Sequence, residues 1–194
     1  MNEQTFDRKR RKPKPATQER LRKAALYYID RYATSAEHLK SVLMRRVTRS
    51  ARLHQTDQHQ GQIWINEIVV DLVNRGLVDD RAFAENRARS LHGGGASRHK
   101  IAMALKVKGV SADNIETALR ALEETHANAE LVAAQNYARR RRFGPWRSSV
   151  HRAKRRDRDL AAMARAGFSF QMAQRVIDAT DIDSLERDVA DQDY

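Results

Sequence analysis

The stretch Gly76-Leu77-Val78-Asp79-Asp80-Arg81-Ala82-Phe83-Ala84 lies between two amphipathic segments of this 194-residue chain. Glycine has no Cβ, and it therefore suits the left-handed residue that ends many helices. An Asp carboxylate accepts hydrogen bonds from the free amide groups at a helix start and faces the positive end of the helix dipole. The stretch predicts that one helix stops at Gly76 and that Asp79 and Asp80 begin the next.

A second stretch has the same organisation and recurs along the chain. Lys108-Gly109-Val110-Ser111 aligns with Ala166-Gly167-Phe168-Ser169, and Ala118-Leu119 aligns with Val176-Ile177 at the same offset. In both copies a helix, a glycine stop, an apolar residue, a Ser cap and another helix follow in register. Such an internal repeat is typical of stacked helical units that bury their apolar faces against each other.

The predicted fold is all-α, with three tandem three-helix repeats stacked into an elongated, curved body. Proline is scarce (3 residues) and glycine modest (8 residues), which favours helix along most of the chain. We expect the chain to divide into a disordered basic arm (1–17), three repeats (18–76, 77–125 and 126–178) and a frayed acidic tail (179–194).

Two further expectations concern local structure. The polar, weakly patterned residues 48–62 favour a loop over an extension of the second helix. Apolar spacing predicts that Val73, Met103, Val107 and Phe170 face the interior with their apolar neighbours.

The charge of the chain is strongly positive and unevenly distributed. Net charge is +12 overall, while residues 1–15 carry +4 and residues 178–194 carry −6, so that the segment between them carries +14. So basic a segment favours a polyanionic partner, because the partner offsets the repulsion among its charges. Nucleic acid is the first expectation, and an anionic membrane is a weaker alternative.

The composition argues against several classes of site. The chain has no cysteine, which excludes disulfides, zinc–thiolate sites and thiol nucleophiles. It has no apolar run long enough to span a membrane and no apolar stretch typical of a signal peptide, so we expect a monomeric cytoplasmic protein. Asp79 and Asp80 are more simply helix caps than a metal pair. His54, Asp57 and His59 lie in a polar segment where nothing fixes metal geometry, so we expect no metal, no cofactor and no catalytic site.

Clustered cations form the candidate functional site, because Arg forks match the geometry of phosphates as well as of carboxylates. The candidates are Arg98, Lys100, Arg139, Arg140, Arg141, Arg142, Arg147, Arg152, Lys154, Arg155, Arg156 and Arg158. A solvated charged face is the alternative. Phe143 and Trp146 lie among these cations and could stack on bases, but a core position is favoured. Gly93-Gly94-Gly95 is favoured as a turn rather than a phosphate cradle, although its basic flank at Arg98 and Lys100 could contact phosphates.

The chain resembles the RecX family on these motifs. The family signature G-L-[LIV]-D-D-x-x-[FY]-A is matched by the stretch 76–84, through Gly76, Leu77, Asp79, Asp80, Phe83 and Ala84. The signature K-G-[IV] followed by I-x-x-A-L is matched by Lys108, Gly109, Val110, Ile115, Ala118 and Leu119. Weaker matches are 35–39 and 165–168, and the resemblance extends over about residues 18–178. The long 48–62 segment, the basic arm and the acidic tail depart from the family pattern.

The resemblance implies a regulator without catalytic activity. RecX proteins are three tandem three-helix repeats that dock in the groove of the RecA–DNA filament and suppress ATP hydrolysis, strand exchange and repressor cleavage. The expected partners are therefore the RecA filament and single- or double-stranded DNA. The residues alone leave open a stand-alone helix-turn-helix protein that binds nucleic acid. A small helical enzyme would need converging polar groups, which the sequence does not offer.

Overall fold

The computed structural model describes residues 14–125 and 128–190, with side chains up to residue 187. Every regular element in these ranges is helical, which confirms the all-α prediction. The chain divides into two compact units, Met1–Val78 and Asp79–Tyr194, which we describe separately. Most of the predicted disordered arm, residues 1–13, lies outside the described residues.

The first unit is a bundle of three helices. They are α1 (Gln18–Ile29), α2 (Ala36–His54) and α3 (Gln58–Asn74). Thr17, Ser35 and Asp57 cap their starts through side-chain oxygens that accept backbone N–H groups. One buried cluster joins the three helices. Its members are Leu21, Ala25, Leu39, Leu43, Val47, Ile65, Ile68, Val69, Leu72 and Val78.

The prediction of a loop over residues 48–62 is wrong. Helix α2 continues to His54, the link occupies only 55–57, and α3 begins at Gln58. Small and polar residues make this packing, so apolar periodicity gave no signal. The buried Ser50 hydroxyl contacts the Thr56 hydroxyl at 2.7 Å, and a Cβ at Gly61 would meet Val47 at 2.5 Å.

Within the described residues, the second unit has seven helices and a short 3₁₀ turn. Its elements are α4 (Asp80–Gly93), α5 (Arg98–Val107), α6 (Ala112–Thr125), α7 (Ala129–Arg141), the 3₁₀ turn (Gly144–Trp146), α8 (Ser149–Arg165), α9 (Phe170–Ile177) and α10 (Ile182–Ala190). Two separate buried clusters fill it. One is formed by α4 to α6 and includes Ala88, Ile101 and Leu105. The other is formed mainly by α7 to α10 and includes Met163 and Leu185.

The glycines of the repeated motif end helices as predicted. Gly76, Gly109 and Gly167 have φ angles of 68°, 73° and 90°, in the left-handed region where a Cβ is unfavourable. After Gly109 and Gly167, the amides of Val110 and Phe168 both donate back to the preceding helix, at 3.2 Å in each case. These two apolar residues are 5% and 4% exposed, so the turn also seals a core.

Some predicted interior positions are wrong, because they sit on the outer face of their helices. In α5 the buried pair is Ile101 and Leu105, four residues apart, so Met103 and Val107 point the other way and are 48% and 79% exposed. Val73 is 44% exposed and Phe170, the first residue of α9, is 65% exposed.

The acidic tail is also more ordered than expected. Its described part forms α10, whose start is capped by Asp181 accepting the Ser184 amide at 2.7 Å. Leu185 is 1% exposed, and its carbonyl accepts a hydrogen bond from Gln135 of α7 at 2.8 Å. Residues 191–194 lie outside the described residues.

The division into three repeats at 18–76, 77–125 and 126–178 remains our proposal. It is supported by the presence of three separate buried clusters, each supplied by successive helices.

Candidate nucleic-acid interface

The two acidic residues after Gly76 stabilise the start of α4. The Asp79 carboxylate accepts the Ala82 amide at 2.9 Å and caps α4, while Asp80 lies in the first turn beside the helix dipole. Ala84 is fully buried and Phe83 packs on the same cluster. Leu77 is 52% exposed, so the apolar anchor of this turn is its neighbour Val78.

Arg147, one of the candidate cations, is held by an internal acid. Its guanidinium donates to both carboxylate oxygens of Asp159, at 2.9 and 3.1 Å. The Asp159 side chain is only 4% exposed, so this is a nearly buried bidentate ion pair. The same guanidinium lies 5.8 Å from the ring centroid of Phe143. Arg147 therefore contributes to the core beneath α8.

Two further candidates bind the end of α9. Arg152 donates to the carbonyls of Ile177, Ala179 and Thr180, where the helix leaves carbonyls without partners. Arg156 pairs with Asp178, with Nε at 2.6 Å from Oδ1, and lowers the pKa of that carboxyl below its ordinary value. Asp178, which immediately precedes the acidic tail, is thus neutralised by a cation of α8.

The remaining cations of α8 face solvent. Lys154, Arg155 and Arg158 are exposed and make no ion pair with the described residues. Arg165, which was not selected from the sequence, is exposed on the same helix about two and three turns beyond Arg158 and Arg155. This helix therefore separates paired cations on its inner side from four free cations on its outer side.

The end of α7 and the turn after α4 form a basic cleft of about 470 Å³. Arg140 donates to the Gly94 carbonyl, and Arg141 lies over the Tyr137 ring at 5.7 Å. Lys100 lines the same cleft and is exposed. The cleft thus brings together candidates from distant parts of the sequence.

The other two cations at this helix end lie outside the lining. Arg139 donates to Asn136 at 3.1 Å. Arg142 occupies the left-handed position that ends α7, with φ 54°, two residues before Gly144.

Arg98 belongs to a polar cluster instead. Its guanidinium pairs with Glu116 and Glu123 of α6, and its backbone amide donates to Glu130 at 2.9 Å. Burial raises the pKa of the Glu130 carboxyl, and the Arg98 amide opposes that change. Two acids around one guanidinium leave it little capacity for phosphate, so Arg98 is the weakest of the candidates.

The aromatic pair and the glycine run are structural, as predicted. Phe143 and Trp146 are half-buried against the α7–α10 cluster, and Phe143 meets Tyr137 edge-on at 6.1 Å. Gly95 has φ 79°, and a Cβ there would lie 2.5 Å from the Tyr137 amide nitrogen. This turn needs glycine for close contact with α7.

Comparison with known proteins decides the family. A family profile described as "RecX, second three-helix domain" matches residues 79–119. Regulatory protein RecX of Myxococcus xanthus (strain DK1622) is 41% identical over 170 residues, which cover 87% of this chain and 90% of that protein. This chain belongs to the RecX family.

Other RecX proteins match over much of their length. Regulatory protein RecX of Agrobacterium fabrum is 35% identical over 82% of each chain, and that of Thermobifida fusca is 30% identical over 71% of this chain and 76% of its own. No solved structure matches the chain.

The part of the chain that matches the RecX profile corresponds to one set of three helices. Residues 79–119 run from the Asp79 cap to Leu119 in α6, and thus cover most of the α4–α6 trio. The candidate cations of α7 and α8 lie outside that match, so their role rests on their geometry alone.

The sequence analysis of this RecX-family chain also missed a row of cations in the first unit. Arg45, Arg46, Arg49 and Arg52 are exposed on α2, and no described carboxylate pairs with them. Their spacing was readable from the sequence, but assigning residues 48–62 to a loop divided the row between two elements.

The described ranges hold neither a candidate metal site nor a candidate membrane span. No group of three or more His, Asp or Glu side chains there has the arrangement to hold a metal ion. None of the helices in those ranges is both long and apolar enough to cross a membrane.

Proposed function

We propose that the chain binds the RecA–DNA filament and lowers RecA activity, namely ATP hydrolysis, strand exchange and coprotease activity, and thereby regulates DNA repair. The observation that carries this proposal is 41% identity to a regulatory protein RecX over 90% of that protein's length. In this proposal the chain acts in the cytoplasm as a monomer, with neither a cofactor nor a catalytic step of its own.

The proposed DNA contact uses cations that are exposed to solvent and make no ion pair with the described residues. Lys154, Arg155 and Arg158 are supported by their exposure on the outer side of α8, and Lys100, Arg140 and Arg141 by their shared cleft. Arg139 and Arg142 adjoin that cleft. Phosphates near such groups release counterions, which favours binding and makes it depend on salt.

The proposal does not assign DNA contacts to three of the candidates, Arg147, Arg152 and Arg156. Their donors are already directed to Asp159, to the α9 carbonyls and to Asp178. We therefore assign them to the framework that holds α8 in place, with α8 presenting its outer side to the filament. Arg98, paired with two acids, is assigned to the framework as well.

The test is a titration of the purified chain into RecA, single-stranded DNA and ATP. The expected result is a fall in ATP turnover at substoichiometric to near-equimolar amounts of the chain. Unchanged turnover over that range would remove the proposal. A defined duplex sequence bound far above random DNA, with no effect on RecA, would favour a stand-alone helix-turn-helix protein instead.

A matched pair of variants tests the DNA contact in the same assay. Lys154→Ala/Arg155→Ala/Arg158→Ala should weaken the inhibition, most strongly at low salt, because phosphate contacts contribute most to affinity there. The control Lys23→Ala/Lys40→Ala/Arg81→Ala removes the same charge from cations that pair with acids on their own helices. Equal loss of inhibition in both variants would show that only net charge matters.

A further inference from the structure

The first unit contains a basic cleft between α1 and α2 that has no counterpart among the candidates selected from the sequence. Its volume is about 410 Å³. Its lining is Lys14, Pro15, Ala16, Arg20, Leu21, Arg46 and Arg49. Four of these seven residues are cations, none is an acid, and the four cations are all exposed.

The cleft is held open by specific contacts. The Ala16 amide donates to the Ser50 hydroxyl at 2.7 Å, and Ser50 is 1% exposed. The segment before α1 is therefore fixed to α2 at a buried point. Arg20 donates to the Pro15 carbonyl at 2.8 Å, which keeps its guanidinium at the rim.

The charges around this cleft are not neutralised within the described part of the chain. No carboxylate in that part pairs with Lys14, Arg20, Arg46 or Arg49, although Glu19 and Glu37 in the same unit pair with other lysines. Four like charges at one cleft repel each other, and an anion bound there would relieve that repulsion. Guanidinium groups in particular match the geometry of phosphate oxygens.

The row of arginines extends beyond the cleft. Arg45 and Arg52 lie on the same helix, and their separation of seven positions spans about 10 Å at 1.5 Å per residue. This length exceeds a single phosphate group and suits consecutive phosphates of a strand.

We propose that the α1–α2 cleft is a nucleic-acid site that holds the phosphate backbone of a DNA strand. No aromatic ring lines it, so it has no surface on which a base could stack, and its contacts are independent of base sequence. The inference rests on the proposed function only in taking DNA as the polymer, and it needs no RecA.

The test measures binding of labelled single-stranded oligonucleotides to the full chain, without RecA, at several salt concentrations. For single strands each phosphate contact contributes about 0.7 to the slope of log affinity against log salt. Arg46→Ala/Arg49→Ala should therefore weaken binding and reduce that slope by about 1.4. Oligonucleotides of different base sequence should lose affinity equally.

Controls separate this site from net charge and from folding. Lys40→Ala/Arg75→Ala removes two cations of the same unit that pair with Glu37 and Asp71, and it should keep the parent slope. Arg46→Lys/Arg49→Lys should also keep it, because the charges remain. Arg46→Gln/Arg49→Gln keeps a polar side chain without the charge and should reduce the slope as the Ala variant does.

Binding of the same variants to phosphatidylserine vesicles is measured in parallel, to distinguish an anionic membrane from DNA. Three outcomes would overturn the proposal. They are a parent-like slope in the Ala and Gln variants, an equal loss in the Lys40→Ala/Arg75→Ala control, and loss of vesicle binding in the Ala and Gln variants while their DNA binding stays intact. Because RecA is absent, failure of this test leaves the proposed RecA regulation standing, and failure of the ATPase titration leaves this site standing.

Discussion

At the scale of single residues, arginines in this chain have two distinct roles that sequence alone does not separate. Arg147 and Arg155 lie in the same basic stretch, yet the first binds a nearly buried carboxylate while the second is exposed. The difference follows from α8, whose inner side carries Asp159 and Leu160 toward the core. A charge in such a position depends on its partner, because neither ion is well solvated.

Arg147→Ala should therefore destabilise the protein strongly. It leaves the Asp159 carboxylate 4% exposed without its bidentate partner, a change that costs about 3–5 kcal/mol for buried pairs. The measurement is the free energy of unfolding in urea. Arg155→Ala, which replaces an exposed arginine of α8, is the control and should stay within about 0.5 kcal/mol of the parent.

A second variant distinguishes the pair from simple packing. Arg147→Met/Asp159→Leu removes both charges and should recover most of the lost stability, since apolar replacements of buried pairs are often neutral. If Arg147→Ala were as stable as the parent, the assignment of Arg147 to the framework would be wrong.

At the scale of elements, glycine stops and side-chain caps set where the helices of the second unit begin and end. Gly109 and Gly167 end α5 and α8, Ser111 and Ser169 cap the helices that follow these turns, and Ser97 caps the start of α5. Ser97 also donates its hydroxyl hydrogen to the Ala166 carbonyl at 2.7 Å, linking the two trios of this unit. Such local signals involve one or two residues, which explains why they were readable in the sequence.

Gly95→Ala tests the close approach between the α4–α5 turn and α7. The new Cβ would lie 2.5 Å from the Tyr137 nitrogen and 2.9 Å from its Cα, at a φ of 79°. We expect a loss of about 2 kcal/mol or more in unfolding free energy, from overpacking and a backbone conformation unsuited to alanine.

Gly93→Ala is the matched control, because a Cβ there meets nothing within 4 Å and the residue is helical. It should leave stability unchanged or raise it by about 0.4–1 kcal/mol. If the two substitutions had equal effects, close contact at Gly95 would not be the reason for the glycine.

The elements that sequence reasoning misjudged share a physical cause. The continuous α2 and early α3 depend on Ser50, Thr56 and Gly61, whose hydrogen bonds and lack of bulk make the packing without apolar periodicity. Similarly, α10 is anchored by Leu185, which is buried within an acidic segment. Tertiary contacts decide these regions, and they cannot be read from local pattern.

The same limit applies to the candidate interface. Charge runs located the basic stretch, but only the fold separates Arg152 and Arg156, which bind the end of α9, from Lys154 and Arg158. The cations of α2 were missed because their helix was not recognised at full length.

At the scale of the whole molecule, this member of the RecX family is a basic, helical chain with exposed cations in both units. The net charge of +12 favours polyanions in general, and the relationship to regulatory RecX proteins favours a recombinase filament among them. A filament offers protein as well as phosphate, so binding to it should involve more of the chain than binding to DNA alone.

Hydrogen exchange of the backbone amides is the most direct test of binding to the RecA–DNA filament. It should be recorded for the chain alone, with single-stranded DNA, and with the same DNA covered by RecA. We expect the filament to protect the chain's amides that DNA protects and, in addition, amides that DNA alone leaves unprotected. Identical protection in the two bound states, or none with the filament, would contradict this expectation.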